Sequence, residues 1–413
     1  MSSSKRAVNL TVLVASLGYF VDIYDLQLFN IISKQSLIGI GITDPEQIKK
    51  YDYMLFLWQM AGMLVGGLLW GIIGDKKGRK NILFGSILLY SLANIANAFV
   101  VNIDQYILVR FIAGLGLAGE LGAAITLVSE VMSKEKRGIG TMVIVTMGAL
   151  GAVGVAFVNW LDIKFAGLQN WQVMYIIGGT LGLLLLALRM GTFESEMFDK
   201  LKKQSVEKGN FFMLFKQRER FLKYLSCILI GLPVWFGIGV LVKFAEQFAQ
   251  TNQVNGTVTV GFAIMFVYIG LSVGDLISGL LSQFLRSRRK VVFSYLMGTI
   301  LISLMFLFGK GFSSTFFYLL CFFIGCGAGY WALFVTMASE SFGTNIRATV
   351  TTTVPNFVRG AVVPITLSFK ALEVHIGNIN SALVIGAVCL TLALAAVWYL
   401  PETFAKDLNY QEN

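Results

Sequence analysis

The sequence has little charge, little proline and almost no histidine for its length. Of its 413 residues, 14% are charged, 5 are Pro and 1 is His, whereas 56% are hydrophobic. Soluble domains carry about 25% charged and about 45–50% apolar residues, so too few polar side chains remain here to cover a surface in water. This composition excludes an ordinary soluble globule and a disordered chain, and it places most of the chain in lipid.

The scarce Cys and His residues exclude several kinds of site. Cys227, Cys321, Cys326 and Cys389 all lie in apolar runs without metal-ligand spacing, so we expect buried free thiols rather than disulfides. His375 is the only His, which excludes a site built from several His ligands. The sequence also lacks a nucleophile elbow and a phosphate loop, so we predict no metal, no cofactor and no enzyme activity.

Apolar runs long enough to cross a bilayer recur along the whole chain. A transmembrane helix needs about 20 apolar residues. The sequence contains twelve such runs, which begin near Val8, Met54, Asn81, Tyr106, Gly138, Trp171, Leu222, Val258, Lys290, Thr315, Ala348 and Ser381. We therefore predict an all-α membrane protein of twelve transmembrane helices in two pseudo-symmetric six-helix bundles. The bundles are expected at 1–191 and 222–413, joined by a cytoplasmic linker at 192–221.

Lys and Arg are distributed unevenly between alternate loops. An N-terminus in the cytoplasm places the basic loops 75–80, 134–137 and 286–290 and the central linker on the inner side. Because loops rich in Lys and Arg stay in the cytoplasm, we predict that both termini are cytoplasmic. The same anchoring explains the net charge of +10. We therefore expect a monomer in the cell membrane, a bacterial inner membrane, with no nucleic-acid partner.

The two halves repeat short motifs at an offset close to 210 residues. Glu130 and Arg137 form an E-x6-R motif, and Glu340 and Arg347 form a second one. Parallel repeats of six spans are a transporter design in which the substrate binds near the midplane, between the halves.

A further motif lies between the second and third spans. Residues 71–80 read G-x-x-x-D-x-x-G-R-K and include Asp75 and Arg79. The copy in the second half is degraded, with Gln283 where the Asp is expected. Carboxylates at these helix ends can meet guanidinium groups and helix N-termini.

Taken together, these motifs resemble the major facilitator superfamily over essentially the whole chain. The sequence looks most like its sugar porters, its phosphate and metabolite proton symporters and its organic-ion transporters. A G-rich run at 110–120 and a D-x-x-D run at 22–25 add to the likeness with the proton symporters. The resemblance implies transport by alternating access.

It also implies cytoplasmic latches, for which the candidates are Asp75, Arg79, Glu130, Arg137, Glu340 and Arg347. The alternative is that these residues only anchor the topology, although acidic residues add little to topology.

Four ionisable residues lie within the spans of the first half: Asp22, Asp25, Arg110 and Glu120. Each costs about 2.5 kcal/mol or more at membrane depth, which makes it a functional candidate. Asp25 and Arg110 are expected at a similar depth and resemble the Asp–Arg coupling pair of proton-driven sugar porters, while Asp22 and Glu120 are candidates to share the proton. The alternatives are a structural salt bridge and hydrogen-bonded packing residues. No acid occupies the positions 210 residues later, so proton handling is expected in the first half.

Arg359 is the buried cation of the second half. It follows Arg347 by 12 residues, which places it about 18 Å into the eleventh span at 1.5 Å per residue. The run from 347 to 360 is similar to the eleventh span of organic-anion transporters, which implies an Arg that contacts anionic substrates. A guanidinium can hold a carboxylate with two hydrogen bonds. Asn356 lies one turn earlier on about the same face. The alternative for Arg359 is charge balance against Glu120 or an Asp across the cavity.

Several other residues near the middle of the spans are candidates for the wall of a substrate site: Trp235, Tyr330, Trp331, Tyr19, Gln59 and Glu120. Aromatic rings can form the apolar wall of such a site. The alternative is that they face lipid or pack between helices.

These features predict that the protein imports a small organic anion by proton symport. The alternative is a facilitator or exchanger of a sugar-like or organic-ion solute with no net proton flux. The expected partners are the solute, protons and the bilayer.

Overall fold

The computed structural model describes residues 2–133, 136–189 and 208–412. The first half contains these helices: α1 Ser2–Gly39, α2 Pro45–Lys77, α3 Arg79–Asn97, α4 Ile103–Leu117, α5 Glu120–Val131, α6 Arg137–Trp160 and α7 Asn170–Arg189. The second half contains these: α8 Met213–Lys216, α9 Arg218–Phe236, a π-helical turn Gly237–Val242, α10 Ala245–Thr251, α11 Val260–Phe284, α12 Arg288–Phe308, α13 Ser314–Ala328, α14 Trp331–Ser341, α15 Arg347–Gly360 and α16 Val362–Tyr399.

The helices account for about twelve membrane crossings. Ten helical runs in the described chain are long and apolar enough to cross a bilayer. The run Arg347–Tyr399 has 53 residues, too many for one crossing at about 20 residues each. It bends at Gly377, whose φ of 77° is not helical, and so provides two crossings. The 19-residue helix α3 adds the twelfth.

Some helix bounds differ from those expected from hydropathy. The second span was expected from Met54, but α2 begins at Pro45 because Asp44 caps it: the Asp44 side chain accepts a hydrogen bond from the backbone N–H of Glu46. Most of the predicted linker 192–221 falls in 190–207, outside the described residues. Beyond it, α9 begins at Arg218, four residues before the predicted start of the seventh span at Leu222.

Corresponding spans of the two halves are interrupted at corresponding positions. The fourth span breaks between α4 and α5, just before Glu120, and the tenth breaks between α13 and α14, just before Trp331. The two E-x6-R arginines also behave alike. Arg137 Nε donates to the carbonyl of Ser129 at 2.7 Å, and Arg347 Nε donates to the carbonyl of Ser339 at 3.2 Å. The internal repeat of the sequence is therefore a repeat of local geometry.

The halves pack tightly at the end of the bundle where α1 begins and the chain finishes, which we call the termini side. Here α2, α5 and α6 contact α11, α14 and α15. Glycine lets helices of the two halves approach each other closely, because a Cβ on Gly122 would lie 2.5 Å from the Cα of Thr352. Toward the opposite end, the far side, a cavity separates the halves.

Candidate functional site

The cavity between the halves runs from mid-bundle to the far-side helix ends. It encloses about 1040 Å³, including the part open to solvent. Arg359 lies at its inner end, and Ser33, Asp52 and Lys243 lie near its mouth. A narrower apolar extension of about 440 Å³ continues past Arg359 between both halves. A pocket at this place, between two repeated bundles, has the volume of a small-molecule site.

The guanidinium of Arg359 lines both parts of the cavity without a carboxylate partner. Its side chain is only 2% exposed, and it forms no salt bridge with any described residue. It is held by weak contacts: Nη2 lies 3.3 Å from the hydroxyl of Tyr19, and Nη1 lies 3.5 Å from Oδ1 of Asn356. A buried guanidinium that lacks an anion is costly. This arrangement can therefore bind an anionic group from the solute.

Aromatic side chains surround this guanidinium. Arg359 lies 5.6 Å from the centroid of the Trp331 ring, and Trp331 meets Trp235 edge to face at 6.5 Å. Tyr19 and Tyr268 complete the wall from opposite halves. The predicted wall residues Tyr19, Trp235 and Trp331 thus lie together around Arg359, where they can stack on a flat solute.

Two other predicted binding residues do not line the cavity. Tyr330 points away, because its hydroxyl donates to the carbonyl of Ile230 at 2.8 Å. Asn356 uses its amide to bond the carbonyl of Ala118 in the other half at 2.9 Å. Asn356 therefore positions Arg359 through Oδ1 and is not itself exposed to the solute.

Asp22 and Asp25 are buried carboxylates of α1. They are 1% and 0% exposed, and neither carboxylate has a hydrogen-bond partner among the described residues. Asp25 packs against α7, since a Cβ on Gly178 would fall 2.3 Å from its Oδ1. A buried carboxylate without a partner is strongly disfavoured as an anion. The two residues are thus suited to carry a proton.

The described residues show no salt bridge between Asp25 and Arg110, although the two charges lie within electrostatic range of each other. Arg110 donates from Nη2 to Oε1 of Gln59 and lies 4.2 Å from the ring centroid of Phe29. Gln59 lines the cavity and links it to Arg110.

Glu120 does not face the cavity, which corrects its assignment as a substrate-binding residue. It is fully buried, and Arg189 at the end of α7 donates to both of its carboxylate oxygens, with Nη1 to Oε2 at 2.9 Å. Arg189 also bonds the carbonyl of Val14 on α1. Because Gly18 has no side chain, this pair fits against α1. Glu120 is therefore engaged by Arg189 and does not balance Arg359.

The buried charges that were not identified as candidates from the sequence include Arg189 and Asp275. Arg189 lies at a helix end, beside the basic linker. Asp275 is a single acid in the apolar run of α11, fully buried, and its Oδ1 accepts the backbone N–H of Ala332 at 3.0 Å. This contact caps α14 at the break beside Trp331. The second half thus also contains a buried acid, whose Oδ2 has no partner among the described residues.

Asp75 on the termini side caps a helix of the opposite half. Its Oδ1 accepts the backbone N–H of Ala348 at 2.9 Å. Its Oδ2 accepts the N–H and the hydroxyl of Thr349 at 2.8 and 2.7 Å. The carboxylate, buried at 0% exposure, thereby meets the positive N-terminus of α15. In the second half, Gln283 occupies the equivalent place beside Gly138 at the start of α6.

The predicted latch residues form ion pairs between motifs. Glu130 Oε1 accepts hydrogen bonds from Arg79 at 2.8 Å and, across the interface, from Arg347 at 3.0 Å. Glu340 pairs with Arg288 at 3.4 Å. Glu130, Glu340 and Arg347 of the two E-x6-R motifs therefore form ion pairs.

The C-terminal segment 402–412 closes over these latches. Arg137 Nη1 donates to the carbonyl of Lys406 at 2.9 Å, and Arg347 Nη2 donates to that of Leu408 at 2.7 Å. Glu412 forms a salt bridge with Arg220 at 3.2 Å. Arginines of both halves thus donate hydrogen bonds to the same short stretch of backbone.

Known families, relatives and solved structures match this chain over most of its length. A profile described as Major Facilitator Superfamily matches residues 15–366. A Bacillus subtilis protein provisionally named a niacin/nicotinamide transporter is 26% identical, over 94% of this chain and 94% of its own. The 3-(3-hydroxy-phenyl)propionate transporter of Escherichia coli is 28% identical, over 69% and 68%. The structure of a proton:xylose symporter bound to 6-bromo-6-deoxy-D-glucose superposes with a TM-score of 0.77 at 17% identity, covering 98% of both chains.

The profile covers most of the chain, and the superposition extends over both halves. The all-helical architecture, the repeated bundles and the cavity between them agree with this match. The chain therefore belongs to the major facilitator superfamily, and it is a multi-pass secondary transporter rather than an enzyme.

Proposed function

We propose that the protein imports a small aromatic carboxylate together with a proton. The observation that carries this proposal is the buried guanidinium of Arg359, which forms no salt bridge with any described residue and lies beside the ring of Trp331 and the hydroxyl of Tyr19. A guanidinium selects carboxylate geometry, and the rings favour a flat apolar body. The relatives named for niacin and hydroxyphenylpropionate support an aromatic solute.

Proton coupling is supported by the unpaired carboxylates of Asp22 and Asp25. With the termini in the cytoplasm, as the loop charges predict, the cavity faces outward and the latches seal the inside. Loading then begins at the outer surface, where the solute binds Arg359 and α1 takes a proton. Latch opening on the termini side completes import.

The proposal is tested by a thermal-shift screen of the purified protein. The ligands are nicotinate, benzoate and 3-(3-hydroxyphenyl)propionate, with nicotinamide and benzamide as neutral controls. A ligand that binds the native state raises its melting temperature. We expect stabilisation by at least one carboxylate, none by its amide, and loss of the shift in Arg359→Gln. Equal stabilisation by acid and amide, or a full shift in Arg359→Gln, would contradict the anion assignment.

Facilitated diffusion is the competing transport mode. Facilitated diffusion would leave the unpaired acids of α1 without a role, so we favour proton symport.

A further inference from the structure

A second cation, Lys243, lies at the mouth of the cavity. It directly follows the π-helical turn Gly237–Val242 at the end of α9, and its backbone N–H donates to the carbonyl of Ile238 at 3.1 Å. The residues just before it, such as Val242, are fully buried, whereas Lys243 is exposed. Such π-turns often occur at functional sites, and this one projects Lys243 into the cavity.

The Lys243 side chain reaches from the second half to rings of the first half. Its Nζ lies 5.6 Å from the ring centroid of Tyr53 and 5.2 Å from that of Phe56, both on α2. A lysine that only anchored the chain to lipid headgroups would point outward from the bundle. Lys243 instead bridges the gap through which a solute must enter.

Lys243 forms no salt bridge with any described residue. Asp52 also lines the mouth, but it forms no salt bridge with Lys243 among the described residues. The nearby Lys370, by contrast, is paired with Glu373 at 2.8 Å and does not line the cavity.

The cavity therefore has a net positive lining. Its charged residues are Lys243, Arg359 and Asp52, so two cations face one acid. A cleft lined mainly by one sign of charge concentrates counter-ions and speeds their entry. An anion that enters from the far side meets Lys243 before it reaches Arg359.

We propose that Lys243 is an outer anion-binding point, which captures small organic anions at the cavity mouth and passes them to Arg359. This inference rests on the proposed function for its solute class, but the capture of anions does not depend on proton coupling. The ammonium group lies against the neutral rings of Tyr53 and Phe56 and has no salt-bridge partner among the described residues. A carboxylate can therefore replace those contacts with a charge-assisted hydrogen bond.

Charge-selective labelling tests this proposal without a known substrate. A cysteine replaces Ile238, which lines both parts of the cavity deeper than Lys243, in a Cys326→Ser background. The rates of its reaction with anionic sulfonatoethyl and cationic trimethylammonium-ethyl methanethiosulfonate are compared in the full-length protein. The ratio of the two rates isolates the effect of charge from the effect of access.

In Lys243→Gln we expect the anionic-to-cationic rate ratio to fall by about tenfold or more at low salt, within the range of electrostatic steering. The ratio should recover in Lys243→Arg, rise in Asp52→Asn and stay unchanged in Lys370→Gln. The differences should shrink in high salt, which screens exposed charges. An unchanged ratio in Lys243→Gln, or an equal fall in Lys370→Gln, would overturn the proposal.

The outcome separates this inference from the proposed function. If the ratio falls in Lys243→Gln but no carboxylate stabilises the protein, the anion-binding point stands and the substrate assignment fails. If a carboxylate binds through Arg359 while the ratio is unchanged, the substrate assignment stands and Lys243 has no role in capture.

Discussion

Individual buried charges differ in whether they have a partner at salt-bridge distance. Arg189 donates to both carboxylate oxygens of Glu120, whereas Asp22, Asp25 and Arg359 form no salt bridge with any described residue. We infer that Asp22, Asp25 and Arg359 are the charges available for transport. Depth does not distinguish the two groups, because all five residues are buried.

The Glu120–Arg189 pair is expected to stabilise the first half. In Glu120→Gln, Arg189 loses the carboxylate to which both of its Nη atoms donate, and breaking a buried ion pair in this way costs about 3–5 kcal/mol. Unfolding of the purified protein in detergent measures this loss. The double variant Glu120→Gln with Arg189→Met should recover most of it, since it removes both charges of the pair. If Glu120→Gln kept full stability but lost pH-driven uptake, Glu120 would be a coupling residue after all.

The acids of α1 are expected to couple transport to protons. In Asp22→Asn and Asp25→Asn, the neutral amide cannot take up or release a proton. At least one variant should therefore lose accumulation driven by a pH gradient but retain exchange of labelled for unlabelled solute. Both activities are measured in proteoliposomes, with the Glu120→Gln, Arg189→Met double variant as control. Unimpaired accumulation in both Asn variants would contradict proton coupling at α1.

Spacing along one helix is enough to predict where some single residues lie. The distance of Arg359 from Arg347 sets its depth, and Trp235 and Trp331 fall at mid-span, so the sequence could place all three near the cavity. The partners of Glu120 and Arg110 were not predictable, because they lie on other helices whose rotation depends on packing. Asp275 was missed since its role arises only where α11 meets the break before α14.

At the scale of elements, the C-terminal segment 402–412 links the helix ends of the termini side. Burial opposes ionisation of Glu402, but hydrogen bonds from Ser287 and from nearby backbone N–H groups outweigh it and hold the pKa of Glu402 below its usual range. Because this pKa is lowered, ionised Glu402 stabilises the folded state. This stabilisation is fully present above the ordinary Glu pKa and is lost only as the pH falls through the lower value. The segment therefore stays attached in mildly acidic medium.

Deletion of residues 407–413 should weaken closure of the termini side. The deletion removes the carbonyl of Leu408, which accepts hydrogen bonds from Arg347 and from the Thr344 hydroxyl. Spin labels on α2 and α15 report the gap between the halves, and we expect a larger population with long distances. Glu412→Gln, which removes only the salt bridge with Arg220, should cause a smaller change. An unchanged distance distribution after the deletion would show that the segment does not hold the gate.

The hydropathy pattern predicted the number of spans but not their interruptions. The breaks beside Glu120 and Trp331 carry no proline and lie in continuous apolar runs, so they are set by packing between helices. The boundary of the linker also stays a prediction, since 190–207 lies outside the described residues.

At the level of the whole molecule, we propose that the two halves form one gate. Asp75 of the first half binds the start of α15 in the second, and we expect this contact to break when the termini side opens. Asp75→Asn keeps one acceptor but loses the charge that meets the helix N-terminus. It should therefore shift the population toward an open termini side in spin-label distance measurements. Asp44→Asn, a cap within one half, is the matched control and should leave the distances unchanged. Equal distances in wild-type protein and Asp75→Asn would remove Asp75 from the gate.

We expect a proton gradient to drive uptake of an anionic solute through this cavity. The most direct measurement is uptake of the carboxylate selected by the binding screen into proteoliposomes that are more alkaline inside than outside. Wild-type protein should accumulate the solute above equilibrium, and collapse of the gradient by a protonophore should release it. Uptake that reaches the same level with and without the gradient would contradict proton symport and leave a facilitator.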